Sequence, residues 1–155
     1  EAVALGQAAL YPPRGQRGST AQSAAQDYRI GAGDVMTAAI NEHMLLAVQV
    51  ESRAGVDGLE AVLATGAVDF IEVGRGDLST DFGVPLQTRH PLVLEAIDKV
   101  IARCTAVGVP CGTLCATVED ASDMLARGMR SVVFPNERAV LLNAYRDAFT
   151  ALRSL

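Results

Sequence analysis

The feature that most constrains the fold of this chain is a regular alternation of short apolar runs with amphipathic segments, from about residue 44 to the C-terminus. The apolar runs have the length of buried strands and cover residues 45–50, 68–73, 110–114 and 131–134. Helical patterns fill the segments between and after them. Because strands that alternate with helices are typical of βα units, we predict an α/β fold with a parallel sheet and about four βα units in residues 44–155.

The helical segments carry apolar stripes and boundary signals. Apolar residues share one face in three of these segments: Val56, Leu59, Val62 and Leu63 in the first, Leu94, Ile97, Ile101 and Cys104 in the second, and Leu141, Tyr145, Ala148 and Leu152 in the last, at 137–153. Pro91 suits a first helical turn, and Gly108 and Gly128 suit helix ends. Thr117, with Asp120 three residues later, predicts a further helix start.

Four βα units make half of a TIM (β/α)₈ barrel, and a whole barrel needs about 250 residues. An open four-stranded sheet would leave its first edge uncovered, because no strand pattern precedes residue 45. We therefore expect the chain to be the C-terminal half of a barrel. Residues 1–155 then form one partial domain, in which 11–43 is a long loop and connector with a short helix near 35–41.

Composition narrows the function classes. Thirteen Lys and Arg against eighteen Asp and Glu give a net charge of −5, and no basic run occurs, which argues against a nucleic-acid partner. No apolar run approaches the roughly 20 residues that span a bilayer, and the N-terminus lacks the positive start of a signal peptide. We predict a cytoplasmic protein without a membrane partner.

The cysteines also favour a cytoplasmic location. On a strand, Cys111 and Cys115 would lie about 13 Å apart, at about 3.3 Å per residue, which is too far for a disulfide. No Cys or His pair nearby completes a zinc site. We predict that these two residues and Cys104 are reduced, buried and hydrophobic in character.

Two carboxylates stand at the ends of neighbouring predicted strands. Glu51 follows the first strand, and Asp77 follows the second by a few residues, so both should emerge at the C-terminal edge of the sheet. Gln49 lies two residues before Glu51 and faces the same way. Such a pair suits a hard divalent cation. The alternatives are that Glu51 caps its strand or pairs with an arginine, and that Asp77 caps the next segment.

The segment 74–79 reads as a turn with two glycines, Gly74 and Gly76, whose backbone N–H groups could converge on an anion beside Asp77. His90 precedes Pro91, and local capping or packing explains it better than proton transfer. His43 has no acidic or nucleophilic companion in sequence, and we assign it to the surface.

Several motifs now occur together in a fixed order. They are Tyr-Pro-Pro-x-Gly-x-Arg-Gly at 11–18, Val-Gln-Val-Glu-Ser at 48–52, Gly-x-x-Asp-Leu-Ser at 74–79, His-Pro at 90–91 and the final helix at 137–153. In this order and at these separations they resemble the HpcH/HpaI aldolase/citrate lyase family, specifically the class II pyruvate aldolases. The resemblance covers essentially the whole chain and corresponds to the C-terminal part of that family.

The resemblance implies a metal-dependent aldolase that reversibly cleaves a 4-hydroxy-2-oxo acid to pyruvate and an aldehyde through a metal-bound enolate. By its motifs, Glu51 and Asp77 match the metal ligands, and Gln49, Gly76 and Asp77 match the substrate-binding positions. The metal would be Mg²⁺ or Mn²⁺, with Co²⁺ tolerated. The catalytic histidine and arginine of the family are expected upstream of Glu1, so the isolated chain would lack them. A homo-oligomer, commonly a hexamer that exchanges C-terminal helices, is also implied.

Two departures from the family pattern keep alternatives open. The usual Gly-Pro-Ala-Asp is Gly-Arg-Gly-Asp at 74–77, which adds the cation of Arg75 beside the expected site, and the segment 134–137 also differs. One alternative is a CoA-ester lyase of the citrate lyase β type, which also uses a Glu/Asp metal pair. The other is a catalytically degenerate or fragmentary barrel that acts as an assembly module.

Overall fold

The computed structural model describes residues 1–19, 24, 28, 33–134 and 137–155. Within them lies one four-stranded parallel sheet, in the order β1-β2-β3-β4. The strands are β1 (Ala47–Val50), β2 (Phe70–Val73), β3 (Cys111–Leu114) and β4 (Ser131–Val133). Each lies inside its predicted run, so the predicted α/β class and the four parallel strands are confirmed.

Eight helices accompany the sheet in the described residues. They are α1 (Ala2–Ala9), α2 (Gly33–His43), α3 (Arg53–Asp57), α4 (Leu59–Leu63), α5 (Arg75–Asp81), α6 (Pro91–Val107), α7 (Val118–Arg127) and α8 (Glu137–Arg153). The predicted connector at 11–43 contains α2, while its residues 20–23, 25–27 and 29–32 lie outside the described part of the chain. Residues 135–136 of the atypical 134–137 segment also lie outside it.

Three helical features differ from the sequence predictions. The first predicted helix is divided into α3 and α4, because Gly58 ends one helix and begins the other. The N-terminal helix α1 was not predicted, since its small residues form no large apolar stripe; Gly6 instead packs closely, and a Cβ on it would lie 3.2 Å from the Cβ of Ala67. The predicted turn at 74–79 is wrong in part, because α5 begins directly after Gly74.

The helix boundary signals act as expected. The Thr117 side chain accepts a hydrogen bond from the Asp120 backbone N–H at 3.2 Å and caps α7. The His90 ring accepts one from the Leu92 N–H at 3.3 Å at the start of α6, which confirms its capping role. Gly108 and Gly128 end α6 and α7 with φ angles of 75° and 117°, the left-handed region that favours glycine.

The sheet has one covered and one open face. Alternate strand residues such as Val50, Ile71 and Val73 are buried in the core together with Ile97 and other apolar residues of α6. Apart from the buried Gly112, the opposite set of strand residues is exposed or only half-buried: Ala47, Gln49, Phe70, Glu72, Leu114, Ser131 and Val133. The polar side chains of the candidate site therefore lie on the face that these helices leave open.

The remaining predictions concern the cysteines, the membrane and oligomerisation. All three cysteines are free and buried, as predicted. Among the described helices, none combines the length and apolar character needed to cross a bilayer. No residue of α8 is buried within the described chain, and the expected homo-oligomer stays a prediction.

Candidate functional site

The end of β1 presents an ordered amide–carboxylate pair. The Gln49 side-chain amide Nε2 donates a hydrogen bond of 2.7 Å to Oε2 of Glu51. Gln49 is exposed and Glu51 is half-buried, and their spacing of two places them on the same side of the strand. The hydrogen bond occupies one carboxylate oxygen on the amide side, so it orients the Glu51 carboxylate while leaving a second oxygen for another ligand.

Gly74 makes room for this pair at the end of β2. A Cβ at this position would lie 2.8 Å from Nε2 of Gln49, 2.8 Å from Cβ of Glu51 and 2.9 Å from Oε2 of Glu51. The Gly74 N–H also donates to the Val50 carbonyl at 3.0 Å, which fixes the two strand ends side by side. The absence of a side chain at Gly74 therefore lets Gln49 and Glu51 lie against the neighbouring strand end.

Asp77 lies in the first turn of α5, just beyond Gly74. The Leu78 N–H donates to the Gly74 carbonyl at 3.0 Å, so Gly76 and Asp77 occupy helical positions at the N-terminal end. A carboxylate there interacts favourably with the helix dipole. Within the described residues the exposed Asp77 carboxylate makes no hydrogen bond or ion pair. Its oxygens are available to a ligand, which argues against the alternative that Asp77 only caps the segment.

Two contacts connect the start of α3 to the end of α5. The Arg53 backbone N–H, at the start of α3, donates to Oδ2 of Asp81 at 2.7 Å, and the Arg53 guanidinium lies 4.7 Å from the ring centre of Phe82. Asp81 is the last residue of α5. The segment that follows Glu51 is thus attached to the far end of the helix that carries Asp77.

The donor set fits a hard divalent cation. Glu51 and Asp77 offer carboxylate oxygens from the ends of neighbouring parallel strands. In the described part of the chain, no group of three or more His, Cys, Asp or Glu residues forms a cage of protein ligands. Mg²⁺ is commonly held by one or two carboxylates and keeps several of its waters, so two acids are chemically sufficient for this class of site.

Arg75 does not place a free cation beside Asp77, which corrects the expectation from sequence. Its side chain is 5% exposed and points to Asp120, with Nη1 at 3.0 Å from Oδ1 and Nη2 at 2.5 Å from Oδ2. Burial alone would lower the pKa of Arg75, but the hydrogen bond and charge of Asp120 outweigh it and raise that pKa. The hydrogen bond from Arg75 in turn lowers the pKa of Asp120 to about 2. The arginine charge is therefore neutralised inside the fold.

Glu72 is a carboxylate near the site that sequence reasoning missed. It pairs with Gln49 in the register of β1 and β2, so both side chains belong to the open face of the sheet. Partial burial raises the pKa of Glu72 above its ordinary value. Glu72 lies two residues before Gly74, so the two residues face the same side of the sheet. This spacing points to the site only once the register of β1 and β2 is known.

The two histidines take no part in the site. His90 caps α6 as described, and the exposed His43 ring forms a hydrogen bond of 2.8 Å with the Ala39 carbonyl inside its own helix. The structure thus brings Gln49, Glu51 and Gly74 together and leaves both histidines in local roles.

The chain is similar in sequence to known proteins. Residues 1–144 match the HpcH/HpaI aldolase/citrate lyase family. The chain is 35% identical over 152 residues to a 5-keto-4-deoxy-D-glucarate aldolase of Citrobacter koseri, covering 96% of this chain and 58% of that protein. It is 34% identical over 157 residues to a 2-keto-3-deoxy-L-rhamnonate aldolase of Salmonella paratyphi A, with 95% and 58% covered. The chain therefore spans little more than half the length of these relatives.

Solved structures show the same relationship. An HpcH/HpaI aldolase from Desulfitobacterium hafniense superposes with a TM-score of 0.90 at 26% identity, over 97% of this chain and 58% of that one. An HpcH/HpaI aldolase/citrate lyase family protein from Burkholderia cenocepacia gives a TM-score of 0.85 at 30% identity, over 95% and 58%. Both comparisons agree with half of a barrel. The chain belongs to the HpcH/HpaI aldolase/citrate lyase family.

Proposed function

We propose that this chain carries the metal- and pyruvate-binding part of a class II aldolase, which cleaves a 4-hydroxy-2-oxo acid reversibly to pyruvate and an aldehyde. The observation that carries the proposal is the Gln49–Glu51 pair, ordered against Gly74 at the C-terminal edge of the sheet. The Asp77 carboxylate, on α5, has no partner among the described residues. The aldolase relatives and the family support the reaction type.

Each residue has a distinct role in this proposal. Glu51 and Asp77 hold Mg²⁺ or Mn²⁺ through their carboxylate oxygens, with Co²⁺ as a substitute. A bound divalent cation supplies Lewis-acid stabilisation of the negative charge that develops on the keto oxygen of the substrate. Gln49 keeps the Glu51 carboxylate oriented and presents its amide to the 2-oxo acid. The N–H groups of Gly76 and Asp77, at the start of α5, bind the substrate carboxylate.

The residues of this chain bind and orient the substrate. Neither His43 nor His90 is positioned for proton transfer, because each ring is engaged within or at the start of its own helix. The proton-transfer histidine and the enolate-stabilising arginine of the family are assigned to no residue of this chain. The substrates in this proposal are a small 2-oxo acid and an aldehyde.

Calorimetric titration with Mn²⁺ tests the metal site directly. The chain should bind Mn²⁺, Glu51→Gln should abolish binding, and Glu72→Gln, which changes the neighbouring carboxylate on the same face, should retain it. Undiminished binding by folded Glu51→Gln would contradict the proposal.

Thermal stability separates the aldolase from the CoA-ester lyase. In the presence of Mg²⁺, pyruvate should raise the melting temperature of the chain, whereas acetyl-CoA should leave it unchanged. The reverse result would favour the CoA-ester lyase, and an effect of neither ligand would favour a degenerate barrel. Joining the chain to the N-terminal half of an aldolase relative should restore metal-dependent exchange of pyruvate methyl protons.

A further inference from the structure

Residues 74–76, which lead from the end of β2 to Asp77, have a single side chain that can anchor them. Gly74 and Gly76 have none, so within the described residues Arg75 is the one member of 74–76 whose side chain reaches other elements of the fold. The Gly76 carbonyl accepts hydrogen bonds from the Ser79 and Thr80 hydroxyls of the same helix. A Cβ on Gly76 would meet nothing within 4 Å among the described residues, so no side-chain packing at this position holds the residue beside Asp77. Beyond Asp77, Leu78 and Ser79 are fully buried. Asp77 therefore lies between this buried part of α5 and the anchor that Arg75 provides.

The anchor of Arg75 is formed by the end of the next strand and the start of the next helix. Besides its forked contact with Asp120, Nη2 donates a 2.5 Å hydrogen bond to the carbonyl of Leu114, the last residue of β3. Asp120 is itself held in the first turn of α7, where its backbone N–H bonds to Thr117. Arg75 thus connects the loop after β2 to the loop after β3.

Asp120 has a second and different cationic partner. Arg89, in the segment before α6, donates from Nη1 to Oδ1 of Asp120 at 2.9 Å and from Nη2 to Asp123 at 2.9 Å. The Arg89 side chain is 55% exposed, whereas that of Arg75 is 5% exposed. The two arginines share one carboxylate, but only Arg75 belongs to the segment that carries Asp77. Arg89 therefore offers a matched control for any effect of Asp120 charge alone.

The buried Arg75 side chain does not satisfy all of its hydrogen-bond donors. Among the described residues, its buried Nε has no hydrogen-bond partner. A buried ion pair with incomplete hydrogen bonding is weak evidence for stabilisation, because desolvation opposes the attraction of the charges. Such a contact is better suited to fixing geometry than to stabilising the fold.

We propose that the buried Arg75–Asp120 ion pair positions the Asp77 carboxylate for metal binding. The inference rests on the proposed function, since it assigns Asp77 to the metal. Arg75 is a positioning residue: it touches the end of β3 and α7 rather than the ligand. Without the anchor, residues 74–76 keep their backbone hydrogen bonds but lose the side-chain attachment to β3 and α7, so Asp77 is held less rigidly relative to Glu51.

Mn²⁺ titration calorimetry on the chain tests this positioning role. Arg75→Ala should weaken Mn²⁺ binding about 10- to 100-fold, the range seen when groups that orient metal ligands are removed. Arg75→Lys keeps the charge but loses the forked contact, and should weaken binding less. Arg89→Ala should bind like the wild type. Hydrogen exchange at the Leu78 amide, which is bonded to the Gly74 carbonyl, should become faster in Arg75→Ala, while α6 stays protected.

The outcomes separate this inference from the proposed function. If Glu51→Gln binds Mn²⁺ as the wild type does, the metal site itself is wrong. If Glu51→Gln loses binding while folded Arg75→Ala keeps wild-type affinity, the positioning role is overturned. Equal weakening by Arg75→Ala and Arg89→Ala would also overturn it, because the effect would then come from Asp120 charge. Should Arg75→Ala fail to fold, wild-type affinity in folded Arg75→Lys decides against the proposal.

Discussion

Gly74→Ala is expected to disturb the candidate site through a single methyl group. The new Cβ would lie 2.8 Å from Nε2 of Gln49 and 2.8 Å from Cβ of Glu51, both shorter than ordinary van der Waals contact. Gln49 can rotate away because its amide is the end of a flexible side chain. The Cβ of Glu51 is attached to the backbone, so the ends of β1 and β2 must move apart.

The magnitude follows from a comparison with Gly76→Ala. The Gly74 φ angle is −80°, which alanine adopts freely, and Gly76 lies in the helix α5. Both substitutions therefore gain about 0.4–1 kcal/mol by restricting the unfolded chain. Only Gly74→Ala creates an overlap, and overpacking costs about 1–3 kcal/mol. The two variants should thus differ by about 1–3 kcal/mol, with Gly76→Ala the more stable.

Urea unfolding, followed by the amide NMR signals of β2, measures this difference. With a typical dependence of about 1–3 kcal/mol per molar urea, the two midpoints should differ by about 1 M. Gly74→Ala should also bind Mn²⁺ more weakly, since it displaces the Gln49–Glu51 pair. Equal midpoints for the two variants, or a higher one for Gly74→Ala, would refute the close approach of Gly74 to Glu51.

The other predictions concern stability. The pKa of Asp120 falls from an ordinary 3.8 to about 2 on folding, because of its hydrogen bond with Arg75. The contribution of this ion pair to the free energy of unfolding is therefore present above about pH 4 and is lost as the pH falls towards 2. Asp120→Asn should flatten this part of the dependence of stability on pH, and an unchanged dependence would contradict the Arg75–Asp120 pairing. Thr117→Ala should cost about 1 kcal/mol by removing the α7 cap, against little change for exposed Ser122→Ala. Ile97→Ala, at a fully buried site, should cost about 2–5 kcal/mol by urea unfolding, far more than Leu92→Ala, which is 46% exposed.

The architecture was predictable because its signals are local and repeated. Apolar runs marked the four strands to within two residues, and the boundary residues Thr117, Gly108 and Gly128 placed helix ends correctly. The sequence also predicted that Gln49 and Glu51 share one side of a strand, because side chains two residues apart on a strand point to the same side.

The features that sequence reasoning missed depend on distant partners. Arg75 was expected as a free cation, since its partner Asp120 is 45 residues away and belongs to another βα unit. Glu72 was overlooked because its relation to Gln49 needs the register of β1 and β2. The helix α1 escaped notice because close backbone packing at Gly6, rather than a large apolar stripe, is its structural signal.

The exposure of α8 divides the chain into parts of unequal local stability. Helix α6 buries six of its 17 residues, whereas α8, of the same length, buries none in the described chain. Packing supplies most of the stability of helices in proteins, so in the monomeric chain α8 should behave much like an isolated peptide helix. Its amides should exchange through local opening at little free-energy cost, while those of β2 report global unfolding. The loss of helix content during unfolding therefore combines two transitions, the opening of α8 and the unfolding of the part that contains the sheet. A midpoint taken from total helix content would understate the stability of the sheet.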